Sequence, residues 1–121
     1  MSVERPVEPT ELVAGRWALR PWPAAFADLD DRLAERYGSE QRADEHRRRT
    51  EGWARGTYLG FAVREITTGW SVAEVAVVMG HGREARVDSW VSPGHEPTDV
   101  APAVEAVVRR WATGALGLTL D

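Results

Sequence analysis

Two histidines and an aspartate are side chains in this sequence that could together hold a metal ion: His81, Asp88 and His95. None of their pairs has the short spacing that is typical of metal-ligand pairs, and both histidines fall in predicted turns. Histidines in such turns usually face solvent. We therefore predict no metal site, and keep small-molecule chemistry through Asp88, His81 or His95 as an alternative.

Nucleophilic catalysis has little support in the sequence. Ser89 and Ser92 lie far along the chain from the histidines, apart from His95, and no glycine-flanked nucleophile elbow surrounds either serine. The chain contains no cysteine, which excludes a thiolate nucleophile, a disulfide and a sulfur-ligated metal. No catalytic residue can be assigned on this basis.

A run of three arginines, Arg47, Arg48 and Arg49, could contact phosphate groups. Glu45 and Glu51 flank the run on a predicted helix, so we interpret it as a solvated charged face. The net charge is −4, and every one of the 15 basic residues is arginine, which hints at a GC-rich coding genome. An acidic chain has no general attraction to nucleic acid, so no nucleic-acid partner is expected.

Length and composition predict one domain. The 121 residues, of which 43% are hydrophobic, suit a single core over residues 11–121 behind a flexible arm at 1–10. No apolar run reaches the roughly 20 residues that cross a bilayer, and the N-terminus lacks the order of a signal peptide. We expect a cytoplasmic protein with no membrane partner.

The first half of the chain predicts a strand and two helices. The segment WALR, residues 17–20, alternates as a short strand. Phe26, Leu29, Leu33 and Tyr37 recur at helical spacing and predict one buried stripe that ends before Gly38. A second helix is predicted over residues 42–54.

The second half predicts three antiparallel strands, a helix and a short strand. The segments TYLGFAVRE, SVAEVAVVM and EARVDSWV alternate with period two around glycine-containing turns. Asp99 is placed to cap a helix whose valines and Trp111 form an apolar stripe, and residues 118–120 follow as a strand. The predicted order is β-α-α-β-β-β-α-β.

One strand face mixes charge with an aromatic ring. Trp90 shares its face with Arg86 and Asp88, opposite the neighbouring Val91. If the fold has an open cleft, its candidate lining residues are Arg86, Asp88, Trp90, Val91, His81 and His95. A solvent-facing cross-strand cluster is the alternative for the Trp90 face.

The element order and several motifs resemble the GNAT acyltransferase superfamily, in particular the branch that acetylates N-terminal or ribosomal-protein amines. The matching motifs are LRPW near the start and, in order, Trp90-Val91, Pro93, Trp111-Ala112 and Leu116-Gly117-Leu118. The resemblance covers residues 11–120. It implies an α/β (α+β) fold, with a mainly antiparallel sheet and helices packed on it.

In that superfamily an arginine- and glycine-rich turn surrounds the pyrophosphate of acetyl-CoA with backbone N–H groups. The matching turn here contains Glu96, Pro97, Thr98 and Asp99. Two carboxylates oppose a phosphate ligand, Pro97 lacks an N–H donor, and Asp99 as N-cap would itself occupy the helix start. No acetyl-CoA cofactor is therefore expected.

The resemblance also implies further elements after the last strand, whereas this sequence ends at Asp121, so we expect a C-terminally truncated GNAT-like fold. The predicted function is a binding or assembly module that has lost acetyl-CoA-dependent transfer. One alternative is an acyltransferase that uses CoA or an acyl carrier in an altered pose, and another is a small-molecule enzyme in the same cleft.

The last strand predicts an assembly surface. Leu118, Thr119 and Leu120 are expected to leave an apolar edge with unpaired backbone groups. A two-fold copy of the same edge is the commonest way to cover it. A homodimer through these residues is the prediction, with a different protein partner as the alternative.

Overall fold

A six-stranded sheet forms the centre of the fold in the computed structural model, which describes residues 7–93 and 99–121. Its strands are β1 (Leu12–Ala14), β2 (Trp17–Pro21), β3 (Tyr58–Glu65), β4 (Ser71–Met79), β5 (Glu84–Val91) and β6 (Thr119–Leu120). The helices are α1 (Phe26–Tyr37), α2 (Arg42–Arg55) and α3 (Val100–Ala115). The strands lie side by side in chain order, antiparallel except for the parallel pair β5 and β6.

This arrangement confirms the α/β fold and adds one strand to the predicted order. β1 pairs with β2 through a tight turn at Gly15, whose φ of 59° suits glycine. Three residues are too few to show the alternation by which the other strands were predicted. The observed order is therefore β-β-α-α-β-β-β-α-β.

The two faces of the sheet carry different helices. Glu74 on β4 and Trp90 on β5 are cross-strand partners and point to one face, where Arg49 of α2 binds Glu74. Ser89, one residue from Trp90, points to the other face and donates a hydrogen bond to Glu105 of α3 at 2.6 Å. Helix α2 therefore covers one face and α3 covers the opposite one.

Helix α3 is held by a regular apolar stripe. Its fully buried residues are Val100, Val104, Val108 and Ala112, which recur every four residues along one side. Each buried valine contributes about 1.5–3 kcal/mol relative to an exposed one. The stripe fixes α3 against the sheet, and with it the position of the helix start near the end of β5.

Helix α1 differs from its prediction at both ends. Leu29 and Leu33 are buried as expected, but Phe26 is 52% exposed and Tyr37 is 38% exposed. Phe26 leaves the core because its ring stacks on His46 of α2, with 3.9 Å between the ring centroids. The prediction of a four-residue buried stripe was wrong for these two rings.

None of the helices in the described part of the chain is long and apolar enough to cross a membrane.

Candidate functional site

A buried ion pair lies in the middle of the sheet. Glu74 on β4 is 1% exposed and Arg49 on α2 is 4% exposed. Arg49 Nε donates to Glu74 Oε2 at 2.6 Å, and Arg49 Nη2 donates to Glu74 Oε1 at 2.9 Å. Two parallel charge-assisted bonds of this kind are the strongest arrangement available to an arginine and a carboxylate. The pair therefore links α2 to the centre of β4.

Glu74 has a further donor on its other side. Trp90 Nε1 donates to Glu74 Oε1 at 2.7 Å, across the strand pair β4 and β5. The carboxylate thus accepts three hydrogen bonds from two side chains. Both oxygens of Glu74 are therefore bonded within the protein.

A second carboxylate, Glu45, binds the same arginine. Arg49 Nη1 donates to Glu45 Oε1 at 2.8 Å and to the Glu45 carbonyl oxygen at 2.9 Å. Burial tends to raise the pKa of Glu45, but the hydrogen bond from Arg49 and the charges of Arg49 and Arg48 outweigh it and lower that pKa. Burial likewise tends to lower the pKa of Arg49, and Glu74 raises it far above its ordinary value. Glu45 and Arg49 are therefore both held in their charged forms.

Three aromatic rings surround the guanidinium. Arg49 Cζ lies 5.5 Å from the ring centroid of Trp22, 5.6 Å from that of Tyr37 and 5.7 Å from that of Tyr58. All three distances are within the range of a cation–π attraction. We call Trp22, Tyr37, Tyr58, Glu45 and Glu74 together the Arg49 cage.

The Trp22 ring is oriented by a chain of hydrogen bonds. Trp22 Nε1 donates to His46 Nδ1 at 3.0 Å, and His46 Nε2 lies 3.0 Å from Asp30 Oδ1. Because Nδ1 accepts a hydrogen bond, the neutral imidazole carries its proton on Nε2 and donates it to Asp30. His46 therefore positions one wall of the cage.

Tyr58 completes the cage next to Glu74. Burial raises the pKa of the Tyr58 hydroxyl, and the negative charge of Glu74 raises it further. Gly60 leaves room for both groups, since a Cβ at this position would lie 2.9 Å from Tyr58 Cε1 and 3.0 Å from Glu74 Oε2. The close approach of strand and cage thus depends on a glycine.

A cavity of about 390 Å³ lies beside the cage. It is lined by Tyr37, Glu45, Arg48, Arg49, Glu51, Gly52, Arg55, Thr57 and Tyr58. A second, more open cavity of about 590 Å³ lies between α1 and the β3–β4 turn, where Trp70 is 60% exposed. The first cavity reaches the charged cluster directly.

The sequence interpretation missed this cluster. The prediction of a solvated face for Arg47, Arg48 and Arg49 was wrong for Arg49, because its partner Glu74 comes from a strand far along the chain. A signal was present in SVAEVAVVM, where Glu74 interrupts an otherwise apolar strand. A charged residue in such a strand usually has a buried partner.

The predicted cleft residues are only partly brought together. Arg86 and Asp88 form an exposed ion pair at 3.1 Å on the Trp90 face, and Arg36 of α1 lies over the Trp90 ring at 4.7 Å. Val91 points to the α3 face and packs against the core. Arg86, Asp88 and Trp90 thus lie on the face that carries the cage, and Val91 lies on the opposite face.

Of the two predicted histidines, only His81 lies in the described part of the chain, and it takes no part in the cluster. His81 is exposed in the turn between β4 and β5, and His95 lies outside the described residues. Within residues 7–93 and 99–121, no group of three or more His, Cys, Asp and Glu side chains could hold a metal ion.

The start of α3 differs in detail from its prediction. Asp99 is the N-cap residue, but its carboxylate makes no capping hydrogen bond and instead binds Arg16 Nη2 at 3.2 Å. Pro102 in the first turn has no N–H group, and the N–H of Ala103 donates to the Asp99 carbonyl oxygen. Glu96, Pro97 and Thr98, in the predicted degenerate loop, lie outside the described residues.

The predicted assembly edge is partly used within the chain. Leu118 is 8% exposed and belongs to the core, while Thr119 and Leu120 pair with Glu84 and Ala85 of β5. The homodimer through this edge stays a prediction.

No protein-family model matches this sequence, and no curated protein matches it. Solved structures match it well. An acetyltransferase from Agrobacterium tumefaciens aligns with a TM-score of 0.71 and 22% identity, over 92% of this chain and 71% of its own.

Two further matches have more specific descriptions. The ribosomal-protein-S5-alanine acetyltransferase from Vibrio fischeri aligns with a TM-score of 0.69 and 10% identity, over 90% of this chain and 70% of its own. Mycobacterium smegmatis RimJ in complex with CoA-disulfide aligns with a TM-score of 0.64 and 18% identity, over 93% and 63%. At these identities the similarity shows the fold, and the chain therefore has the fold of the GNAT acetyltransferases, ribosomal-protein acetyltransferases among them.

Proposed function

We propose that this protein is a GNAT-fold binding module that does not carry out acetyl-CoA-dependent transfer. The observation that carries the proposal is the start of α3, where a CoA diphosphate would need N–H donors and positive charge. Asp99 places a carboxylate there, and Pro102 removes one donor. Arg16 binds Asp99, but it also lies 3.8 Å from Glu65, so these three side chains together carry a net charge of −1.

The missing donors have a measurable cost. A hydrogen bond to a charged group contributes about 1.5–3 kcal/mol, and every 1.4 kcal/mol corresponds to about a tenfold change in affinity. Losing one or two such bonds, with the repulsion of Asp99 added, weakens CoA binding by several orders of magnitude. Glu96 and Pro97 in the sequence of the same turn add charge and remove a second donor.

The buried cluster supports the absence of catalysis on the other face of the sheet. A general base must lie within hydrogen-bond reach of a substrate proton, and the buried Glu74 is only 1% exposed. Glu74 instead accepts two bonds from Arg49 and one from Trp90. The surface proposed for a ligand is the neighbouring exposed half of this face, with Trp90, Arg36 and the pair Arg86 and Asp88.

One observation favours an acyltransferase as a second candidate. The N–H groups of Thr119 and Asp121 donate to the carbonyl oxygens of Arg83 and Ala85. The backbone N–H and C=O groups of the odd-numbered residues of β5 therefore point toward β6. In the described residues β6 pairs with β5 only at Glu84 and Ala85. The edge of β5 at Val87, Ser89 and Val91 could therefore hold the amides of an extended acyl carrier arm.

Calorimetric titrations distinguish the two candidates. The wild-type protein and the double variant Asp99→Gly/Pro102→Ala would each be titrated with CoA and with pantetheine, which lacks the phosphates. We expect no measurable CoA binding by the wild type at micromolar concentrations. The variant should bind CoA at least about tenfold more tightly than the wild type, because a donor returns and a charge leaves.

Pantetheine provides the control ligand. Its affinity should be the same for both proteins, because pantetheine has no phosphate that could contact the start of α3. Wild-type binding of pantetheine and CoA with equal affinity would favour the carrier-arm candidate. Micromolar wild-type binding of CoA that exceeds that of pantetheine would contradict the proposed function.

A further inference from the structure

The Arg49 guanidinium is bound in the way that proteins bind a cationic ligand. Its five partners come from α2 itself, α1, β3, β4 and the residues that follow β2, so most of the cage is built without α2. Three rings lie within 5.7 Å of Arg49 Cζ, and two carboxylates accept its N–H groups. Aromatic faces with carboxylates are the groups that recognise an alkylated cation.

The cage has an excess of negative charge without Arg49. Glu74 and Glu45 carry two carboxylates, and Glu74 would keep the neutral Trp90 N–H as a hydrogen-bond donor. Arg48 binds Glu45 at 3.0 Å, but its side chain is 71% exposed and does not touch Glu74 in the described contacts. Two buried carboxylates so close together require a cation between them.

Solvent reaches this cation position through the cavity of about 390 Å³. Arg49, Glu45, Tyr37 and Tyr58 all line that cavity, so four members of the cluster border on one space. An external molecule could therefore approach the position that the guanidinium now fills without crossing the sheet.

We propose that the Arg49 cage is a cation-binding site that is closed by the chain's own guanidinium, and that it accepts an external alkylguanidinium when Arg49 leaves it. Helix α2 thus fills the cage with the same chemical group that the cage would select. A guanidinium is preferred to an ammonium, since it alone can give Glu74 two parallel N–H bonds. The inference is independent of the start of α3, which shares no residue with the cage.

The variant Arg49→Ala tests the proposal, with ethylguanidinium as the probe because it matches the atoms that the substitution removes. Thermal unfolding would be followed with ethylguanidinium, ethylammonium and sodium chloride at equal ionic strength. We expect ethylguanidinium to raise the midpoint of Arg49→Ala by about 5 °C at tenfold above its Kd. The other two salts should raise it less.

Two proteins serve as controls. The wild type should show no stabilisation by ethylguanidinium, because its cage is filled. Arg48 lies in the same helical turn and also binds Glu45, but its side chain is exposed. The variant Arg48→Ala should therefore behave as the wild type does. Equal responses in Arg49→Ala and Arg48→Ala would overturn the proposal.

If Arg49→Ala does not fold in buffer, refolding yield replaces the thermal midpoint. Recovery of native circular dichroism in ethylguanidinium, and not in ethylammonium, supports a cation site of the proposed kind. Recovery must then also appear in Arg49→Gly, which leaves the same space and that of the Cβ atom in addition. Failure of ethylguanidinium to restore either variant would overturn the proposal.

Discussion

Two arginine–carboxylate pairs, one on the α2 face of the sheet and one at the start of α3, differ in their exposure to solvent. The side chains of Arg49 and Glu74 are 4% and 1% exposed, at the centre of the sheet. Those of Arg16 and Asp99, at the start of α3, are 52% and 61% exposed. The same kind of ion pair is thus buried in one region and exposed to solvent in the other.

The difference explains what each region can do. Removing one partner of a buried pair leaves an uncompensated charge, so substitutions in the Arg49 cage should be strongly destabilising. Water and salt screen the exposed pair, so Asp99 contributes mainly a negative potential to the helix start. We therefore expect the buried pair to stabilise the fold on the α2 face, and the proposed loss of a CoA-phosphate site rests on the exposed carboxylate at the start of α3.

Substitution of Glu74 should have the largest effect on stability. Glu74→Gln keeps the shape of the side chain but removes one of the two buried carboxylates that bind Arg49, and we expect a loss of about 3 kcal/mol in the free energy of unfolding. Urea denaturation measures it. The control Asp88→Asn removes an exposed carboxylate on the same sheet face and should change the value by less than about 1 kcal/mol. Similar losses in the two variants would contradict the assignment of the cage as a buried site.

Gly60 should be the next most sensitive position. In Gly60→Ala the new Cβ would lie 3.0 Å from Glu74 Oε2 and 2.9 Å from Tyr58 Cε1, so crowding should cost about 1–3 kcal/mol. The control is Gly114→Ala in α3, where a Cβ has no neighbour within 4 Å. That change should stabilise the helix by up to about 1 kcal/mol. Thermal unfolding should show opposite signs, and a neutral Gly60→Ala would mean that the cage has room to spare.

Tyr58 reports the charge of the cage at alkaline pH. Burial and the Glu74 charge raise the pKa of Tyr58 above its ordinary value of 10.0. The unfolded chain therefore loses this proton at a lower pH than the folded protein does. The stability due to Tyr58 is fully present below pH 10 and is lost as pH rises above it. In Tyr37→Phe, Tyr58 is the single tyrosine, and phenolate absorbance should stay absent in the folded protein well above pH 10. Half-ionisation near pH 10 in the folded state would contradict the burial of Tyr58 beside Glu74.

The exposed pair should give the smallest effect on stability. Asp99→Asn removes the charge that binds Arg16, and the free energy of unfolding should change by less than about 1 kcal/mol, because both side chains are more than half exposed. The same urea denaturation measures it. A loss as large as that of Glu74→Gln would remove the distinction between the two regions.

The sequence predicted the elements better than the cluster they form. Period-two alternation in β3, β4 and β5 and the valine stripe of α3 are local signals, and the structure confirms them. The pairing of Arg49 with Glu74 depends on where α2 crosses β4, which no local pattern records. Asp99 was predicted as the N-cap residue and is the N-cap residue, but its side chain binds Arg16 and makes no hydrogen bond to the backbone of α3.

The central claim is that the fold has kept its sheet and lost its site for CoA phosphates. Calorimetry of the wild-type protein with acetyl-CoA tests this claim most directly, at protein concentrations high enough to detect millimolar binding. The account predicts no saturable heat below millimolar acetyl-CoA. A saturable binding isotherm with a micromolar or tighter Kd would contradict it.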